Sequence, residues 1–296
     1  MNGPLQPARL GPRLGGCVLV LVLAACIHQP PAESEPGGEA DSGGRRLSAS
    51  EGWVTGTVLG VGRRTPVVLV HGFGGNHHFF DAQLQHLRGQ RKVVAYDQRG
   101  CGGSSLTPHK RYDIDVLAED LGAVLSAGKG DRVVLVGHAL GADVVGRYAG
   151  AHPDRVAALL LIDPPLDVRE PARALQSSLA GKDESRFREG MEAFFLPLLA
   201  EAQGTTRQLV LASLRATPRE VLEGMLEGLA VYDPMLYLRM YPGPISVLQT
   251  SGPSPALEDA GSRFRVQVVP DSSHWVMLDR PEVVNRALDE VLAGLP

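Results

Sequence analysis

The sequence predicts an α/β fold, a mostly parallel sheet flanked by helices with a helical segment inserted late in the chain. Three observations predict it. Short apolar runs that read as buried strands (Val67–Val70, Lys92–Tyr96, Val133–Val136 and Ala157–Ile162) alternate with stretches of helical spacing, which is the rhythm of βαβ units. Two of these runs open into glycine-rich turns, His71-Gly72-Phe73-Gly74-Gly75-Asn76 and Gly137-His138-Ala139-Leu140-Gly141. From about 166 to 241 the rhythm gives way to helical segments alone.

Phe79–Leu87 has helical spacing, and Asp113–Ala127 places Ile114, Leu117, Leu121 and Leu125 on one face, so that face packs on the sheet. A small-residue helix continues from Leu140 through Tyr148 and Ala149. The inserted segment holds helices at Met191–Ala200, Thr206–Arg215 and Pro218–Ala230, the last with Thr217 as a capping candidate. Pro244–Thr250 and Phe264–Val269 are the final strands, and Pro281–Leu292 the final helix. Phe194, Phe195, Met225, Leu229, Met235 and Tyr237 either line a substrate pocket or form the insertion's own core.

The N-terminus belongs to a different class of segment. Arg9 and Arg13 precede an apolar run of about 12 residues, Leu14–Ala25, too short for the roughly 20 residues of a membrane span and fitting for a secretory signal. Leu23-Ala24-Ala25-Cys26 resembles a bacterial lipobox, which implies a signal peptide over 1–25 and a diacylglycerol on Cys26. A simple signal with a chance cysteine is the alternative. Ile27 after the cysteine fits a lipid-anchored protein of the bacterial cell envelope, delivered to the outer membrane. Residues 26–50, rich in Pro, Gly, Ser, Glu and Ala, read as a flexible tether, and 51–296 as the folded domain.

The formal net charge is −4 over 296 residues with no basic run, so nucleic acid is not an expected partner. Loss of 1–25 removes Arg9 and Arg13 and no acid, which makes the mature charge −6. Of three cysteines, the lipobox resemblance implies that Cys17 leaves with the signal and Cys26 is acylated. Cys101 alone remains, and no intramolecular disulfide is expected.

Four motifs in order resemble the α/β-hydrolase superfamily of the esterase/lipase type, over residues 53 to 295. The strand-turn-helix at Gly137–Gly141 is similar to its G-x-S-x-G elbow. Asp97-Gln98-Arg99-Gly100-Cys101-Gly102-Gly103-Ser104 is similar to its D-x-R-G-x-G-x-S loop, which implies bracing roles for Asp97 and Arg99. Pro270-Asp271-Ser272-Ser273-His274-Trp275, followed by Asp279-Arg280-Pro281-Glu282, is similar to its histidine loop. The glycine-rich loop after Val70 is similar to the one that supplies an oxyanion donor.

The resemblance implies an α/β-hydrolase fold with a helical cap at about 166–241, His274 as base, and the N–H groups of Phe73 and Leu140 as oxyanion hole. It implies no cofactor. The elbow centre, however, is Ala139, and a methyl group neither attacks a carbonyl nor donates a proton. The family's usual acid position falls in Thr250-Ser251-Gly252-Pro253-Ser254-Pro255, which has no carboxylate. Asp163, at the end of the strand after the elbow helix, is the candidate replacement, with Glu258 and Asp259 behind it. His138 is expected to point away from the pocket, because side chains alternate along an extended segment. Cys101 as a nucleophile would sit in the wrong loop.

Two functions remain open. One is a catalytically impaired protein that holds a small apolar or ester-like ligand, or a partner, in the capped pocket. The other is a working hydrolase of small esters or amides that uses water activated by His274 and Asp163. A metal enzyme is not expected, since His77-His78 has no partner at ligand spacing.

Overall fold

The computed structural model describes residues 45–126, 132–166, 168–250, 254–259 and 261–295. The expected signal peptide and Cys26 lie outside the described residues, as do the first 19 of the 25 tether residues. The strands are β1 (Arg45–Ser48), β2 (Trp53–Leu59), β3 (Val67–Val70), β4 (Val93–Tyr96), β5 (Val133–His138), β6 (Val156–Ile162), β7 (Ile245–Gln249) and β8 (Phe264–Val268). They form one sheet in the order β1-β2-β4-β3-β5-β6-β7-β8. β1 and β2 run antiparallel to their neighbours, and from β4 to β8 every pairing is parallel.

The expected tether ends earlier than 50. Arg45–Ser48 pairs with Trp53–Gly56, the Arg46 guanidinium lies 4.4 Å from the Trp53 ring centroid, and Ser50 donates through its N–H and hydroxyl to Asp120 at 2.8 and 2.6 Å. The polar sequence Arg45-Arg46-Leu47-Ser48 has no reason to be a strand by itself. It becomes one because β2 offers an unpaired edge.

The helices are α1 (Asp81–Leu87), α2 (Ile114–Ser126), α3 (Leu140–Ala151), α4 (Arg169–Leu179), α5 (Glu184–Phe195), α6 (Gly204–Ala216), α7 (Arg219–Val231), α8 (Pro234–Met240), α9 (Pro255–Asp259), α10 (Val276–Asp279) and α11 (Pro281–Ala293). β3, β4, β5 and β6 are buried along their whole length, as a parallel sheet covered on both faces requires, and this is why they read as unbroken Val/Leu/Ala runs. The insertion between β6 and β7 holds α4 to α8. The last of these corrects the expected end of the cap. α8 lies on α3, where a Cβ on Gly146 would meet Leu238 at 3.0 Å and one on Gly150 would meet the Tyr237 carbonyl at 2.7 Å. It therefore belongs to the layer that covers the sheet, and the cap proper is α4 to α7.

The chain leaves β3 toward β4 on one side, and β5 pairs with β3 on the other. Strand order reverses there, which opens a crevice at the carboxyl ends of β3 and β5. Both glycine-rich turns sit at that crevice.

Candidate active site

The turn from β5 into α3 is built by close backbone approach. A Cβ on Gly137 would collide with the carbonyl of Gly141, and one on Gly141 would collide with the carbonyl of Val70. With no side chains at these two positions, the chain can bend back on itself above the sheet. Ala139, at the apex, holds φ 47° and ψ −123°, a conformation that costs a residue with a Cβ on the order of 1–3 kcal/mol. The elbow thus keeps its strained shape while carrying only a methyl group, and that methyl borders a cavity.

His274 faces the same cavity from the loop between β8 and α10. Its Nδ1 lies 2.5 Å from Oδ2 of Asp163, and Asp163 also accepts from the Thr250 N–H at 3.0 Å and the Thr250 hydroxyl at 2.9 Å. Burial pushes the Asp163 carboxyl up, but the His274 ring and the two Thr250 donors outweigh it and hold the group below the usual carboxylate range. An ionised Asp163 requires the proton on Nδ1, so a neutral His274 carries its lone pair on Nε2. Nε2 has no hydrogen-bond partner among the described residues.

His138 departs from the expectation that it points away. Its ring is buried, lies 4.7 Å from the His274 ring, and donates from Nε2 to the His274 carbonyl at 3.0 Å. Desolvation, reinforced by the neighbouring His274 ring, holds its pKa well below 6.5, so it is a neutral wedge between the elbow and the histidine loop. His138 is the last residue of β5, and the histidine loop packs against it at that strand end.

Phe73 and Leu140 both line the cavity, and neither of their N–H groups donates to another group among the described residues. The loop that carries Phe73 is pinned from the cap. Ser213 of α6 donates to the Gly74 carbonyl at 2.8 Å and accepts from Asn76 at 3.0 Å. The cap also reaches the histidine loop, where the His274 N–H donates to the Leu198 carbonyl at 3.3 Å. α6 and the segment after α5 therefore hold both rims of the crevice.

The cavity measures about 340 Å³. Phe194, Phe195 and Leu229 line it with Phe73, Leu175 and Trp275, whereas Met225, Met235 and Tyr237 do not. Met225 is buried core, and Tyr237 stacks on Tyr232 at 5.9 Å under Arg147. Helical periodicity marks all six as apolar, and only the tertiary path of the cap separates wall from core.

The remaining sequence candidates fall elsewhere. Asp97 accepts from the His77 N–H at 2.7 Å, the Gly103 N–H at 2.9 Å and, at 2.7 Å, pairs with His77 Nδ1. Arg99 grips Asp120 with two bonds of 2.6 and 2.7 Å, and Ser104 bonds the Asp97 carbonyl. Cys101 is fully buried, and desolvation raises its thiol pKa far above the usual range, which leaves no thiolate to attack. α9 contains Glu258 and Asp259. Sequence reasoning missed Thr250 as a partner of Asp163. The signal was there: a hydroxyl at the β7 terminus, where the family's acid was sought, can support a carboxylate on the next strand.

These features agree with comparison to known proteins. A model of the alpha/beta hydrolase fold matches residues 65–234. The chain is 30% identical over 261 residues to the dihydrolipoyllysine-residue acetyltransferase component of the acetoin cleaving system of Pseudomonas putida, covering 84% of this chain and 67% of that one. It is 25% identical to epoxide hydrolase 3 of Xenopus tropicalis, covering 78% and 72% of the two chains. Its fold is similar to that of a thermophilic esterase from Thermogutta terrifontis, with a TM-score of 0.69 at 23% identity, over 85% of this chain and 98% of the other. With its eight-stranded sheet, its elbow after β5 and its histidine loop after β8, this chain belongs to the α/β-hydrolase fold family.

Proposed function

We propose that this protein binds a small apolar or ester-like ligand in the capped cavity and forms no acyl-enzyme at the elbow. The observation that carries the reading is the methyl of Ala139 at the strained apex, facing the cavity that His274 also lines. A nucleophilic route needs an oxygen or sulfur there. The cavity size is at the small end of ligand pockets, and its walls are mostly aromatic and aliphatic. We further propose that the mature chain is held on a bilayer of the cell envelope through a lipidated Cys26, which metabolic labelling with a radioactive fatty acid checks against Cys26→Ser.

The binding reading is tested on the purified chain by calorimetry with phenylethyl acetate, beside a fluorophosphonate labelling assay. Binding is expected, labelling is not, and Leu175→Trp, which fills the cavity, should abolish binding while the chain stays folded. Labelling of any serine, or p-nitrophenyl butyrate turnover at ordinary esterase rates, would overturn it. The contact between Asp163 and His274 favours a second reading, hydrolysis by water activated at His274. That reading predicts slow ester turnover without an acyl-enzyme burst, lost in His274→Ala.

A further inference from the structure

The mostly apolar wall of the cavity, which Gln249 and Ser254 also line, includes an acceptor and two backbone donors at the elbow end. The acceptor is Nε2 of His274, which holds the lone pair of the neutral ring because Nδ1 donates to Asp163 at 2.5 Å. The donors are the N–H groups of Phe73 and Leu140, which have no acceptor among the described residues. In a serine hydrolase the elbow hydroxyl would give its proton to this base. Here position 139 has no proton to give, so the base is left for whatever enters.

We propose that this site takes the proton of an acidic hydroxyl on a small aromatic or enolic ligand and holds the resulting oxyanion, an activity distinct from ester cleavage. The inference rests on the reading above that the cavity binds ligands without a nucleophile. The ligand O–H bond breaks, its electron pair stays on oxygen, and the proton moves to Nε2. The imidazolium so formed is balanced by the Asp163 carboxylate, and the ligand oxyanion is met by the Phe73 and Leu140 N–H groups. No other reactant is needed.

The walls argue for a ring. Phe73 and Phe195 have centroids 6.0 Å apart, Phe195 and Trp275 5.8 Å, and Phe194 and Phe195 6.0 Å, so a cluster of mutually tilted aromatic rings lines the cavity that His274 also lines. Such faces stack on flat ligands. A cavity of about 340 Å³ suits one or two rings. A long acyl chain would leave the stacking surface unused.

The test compares two ligands of equal shape on the full chain, 4-nitrophenol and 4-nitrotoluene, buffered about one pH unit below the free phenol's pKa. Bound 4-nitrophenol should absorb as the phenolate and bind at least about tenfold more tightly than 4-nitrotoluene, a tenfold ratio being one pKa unit. His274→Ala should lose the phenolate band and the preference while still binding 4-nitrotoluene, which shows the pocket intact. Asp163→Asn should weaken the band in the same way. Equal binding of the two ligands, with the phenol remaining neutral, overturns the proton-transfer inference and leaves the binding reading standing. Failure of both ligands to bind overturns both.

Discussion

Ala139→Ser restores the single atom that a serine hydrolase would need. The elbow backbone already has the strained φ of 47° and ψ of −123°, so the change adds an oxygen without asking the chain to move. The methyl it replaces borders the cavity, which leaves room for the hydroxyl. His274 and the elbow are held together by the bond of 3.0 Å from His138 to the His274 carbonyl, and the His274 ring is oriented by Asp163. In a serine protease, removing the nucleophile costs about 2 × 10⁶ in kcat, while the oxyanion hole and binding alone retain about 10³–10⁴ over water. Recovering even half of that loss on a logarithmic scale is about a 10³-fold gain, or about 4 kcal/mol of transition-state stabilisation. The assay is p-nitrophenyl acetate hydrolysis with fluorophosphonate labelling of residue 139. A gain of at least 10³-fold that disappears in the Ala139→Ser/His274→Ala double variant is expected. A folded Ala139→Ser chain that stays at background and is not labelled would refute the reasoning, because base and elbow would then be out of register.

Ala139→Gly should raise stability by about 1 kcal/mol, since glycine adopts a positive φ at little cost, and the unfolding midpoint should rise by about 2–4 °C in a scan. Asp163 has a folded pKa below its unfolded value, so its contribution is present above the unfolded carboxylate range and lost as pH falls through the folded value. The stability gap between the parent and Asp163→Asn, measured by urea denaturation, should accordingly be constant near neutrality and close below about pH 4. His71 and His138 are buried with pKa values lowered chiefly by desolvation. The unfolded chain takes up protons from about pH 6.5 downward while the folded one does not, so stability should fall by up to about 1.4 kcal/mol per pH unit for each histidine. Equal urea midpoints at pH 7.5 and 5.5 would contradict that burial.

The core of the fold was legible because a parallel sheet buried on both faces leaves no alternative to runs such as Val133–Val136 and Ala157–Ile162. The turns were legible because glycine at 137 and 141 is a steric demand of the backbone. β1 and β2 were not, since Arg45–Ser48 has no apolar face and Gly56 interrupts β2 where Tyr96 approaches it. The strand state of β2 comes from pairing with β4, about 40 residues away along the chain, and that of β1 from pairing with β2 in turn. His138 departs from its expectation for a related reason: a two-residue period assigns a side chain to a face of the sheet and does not say that the histidine loop packs against that position.

For the site, the sequence by itself determined the missing hydroxyl at Ala139, the histidine loop after the last strand and the glycine-rich loop after β3, because each is a matter of which atoms the chain carries and in what order. Only the tertiary structure decided that Asp163 meets His274, that Thr250 supports it, and that Phe194, Phe195 and Leu229 are wall while Met225 is core. Those facts depend on distances between residues far apart in the chain, from 87 positions for Thr250 and Asp163 to 111 for Asp163 and His274. Such distances are set by how strands stack side by side, and local patterning of the chain does not contain them.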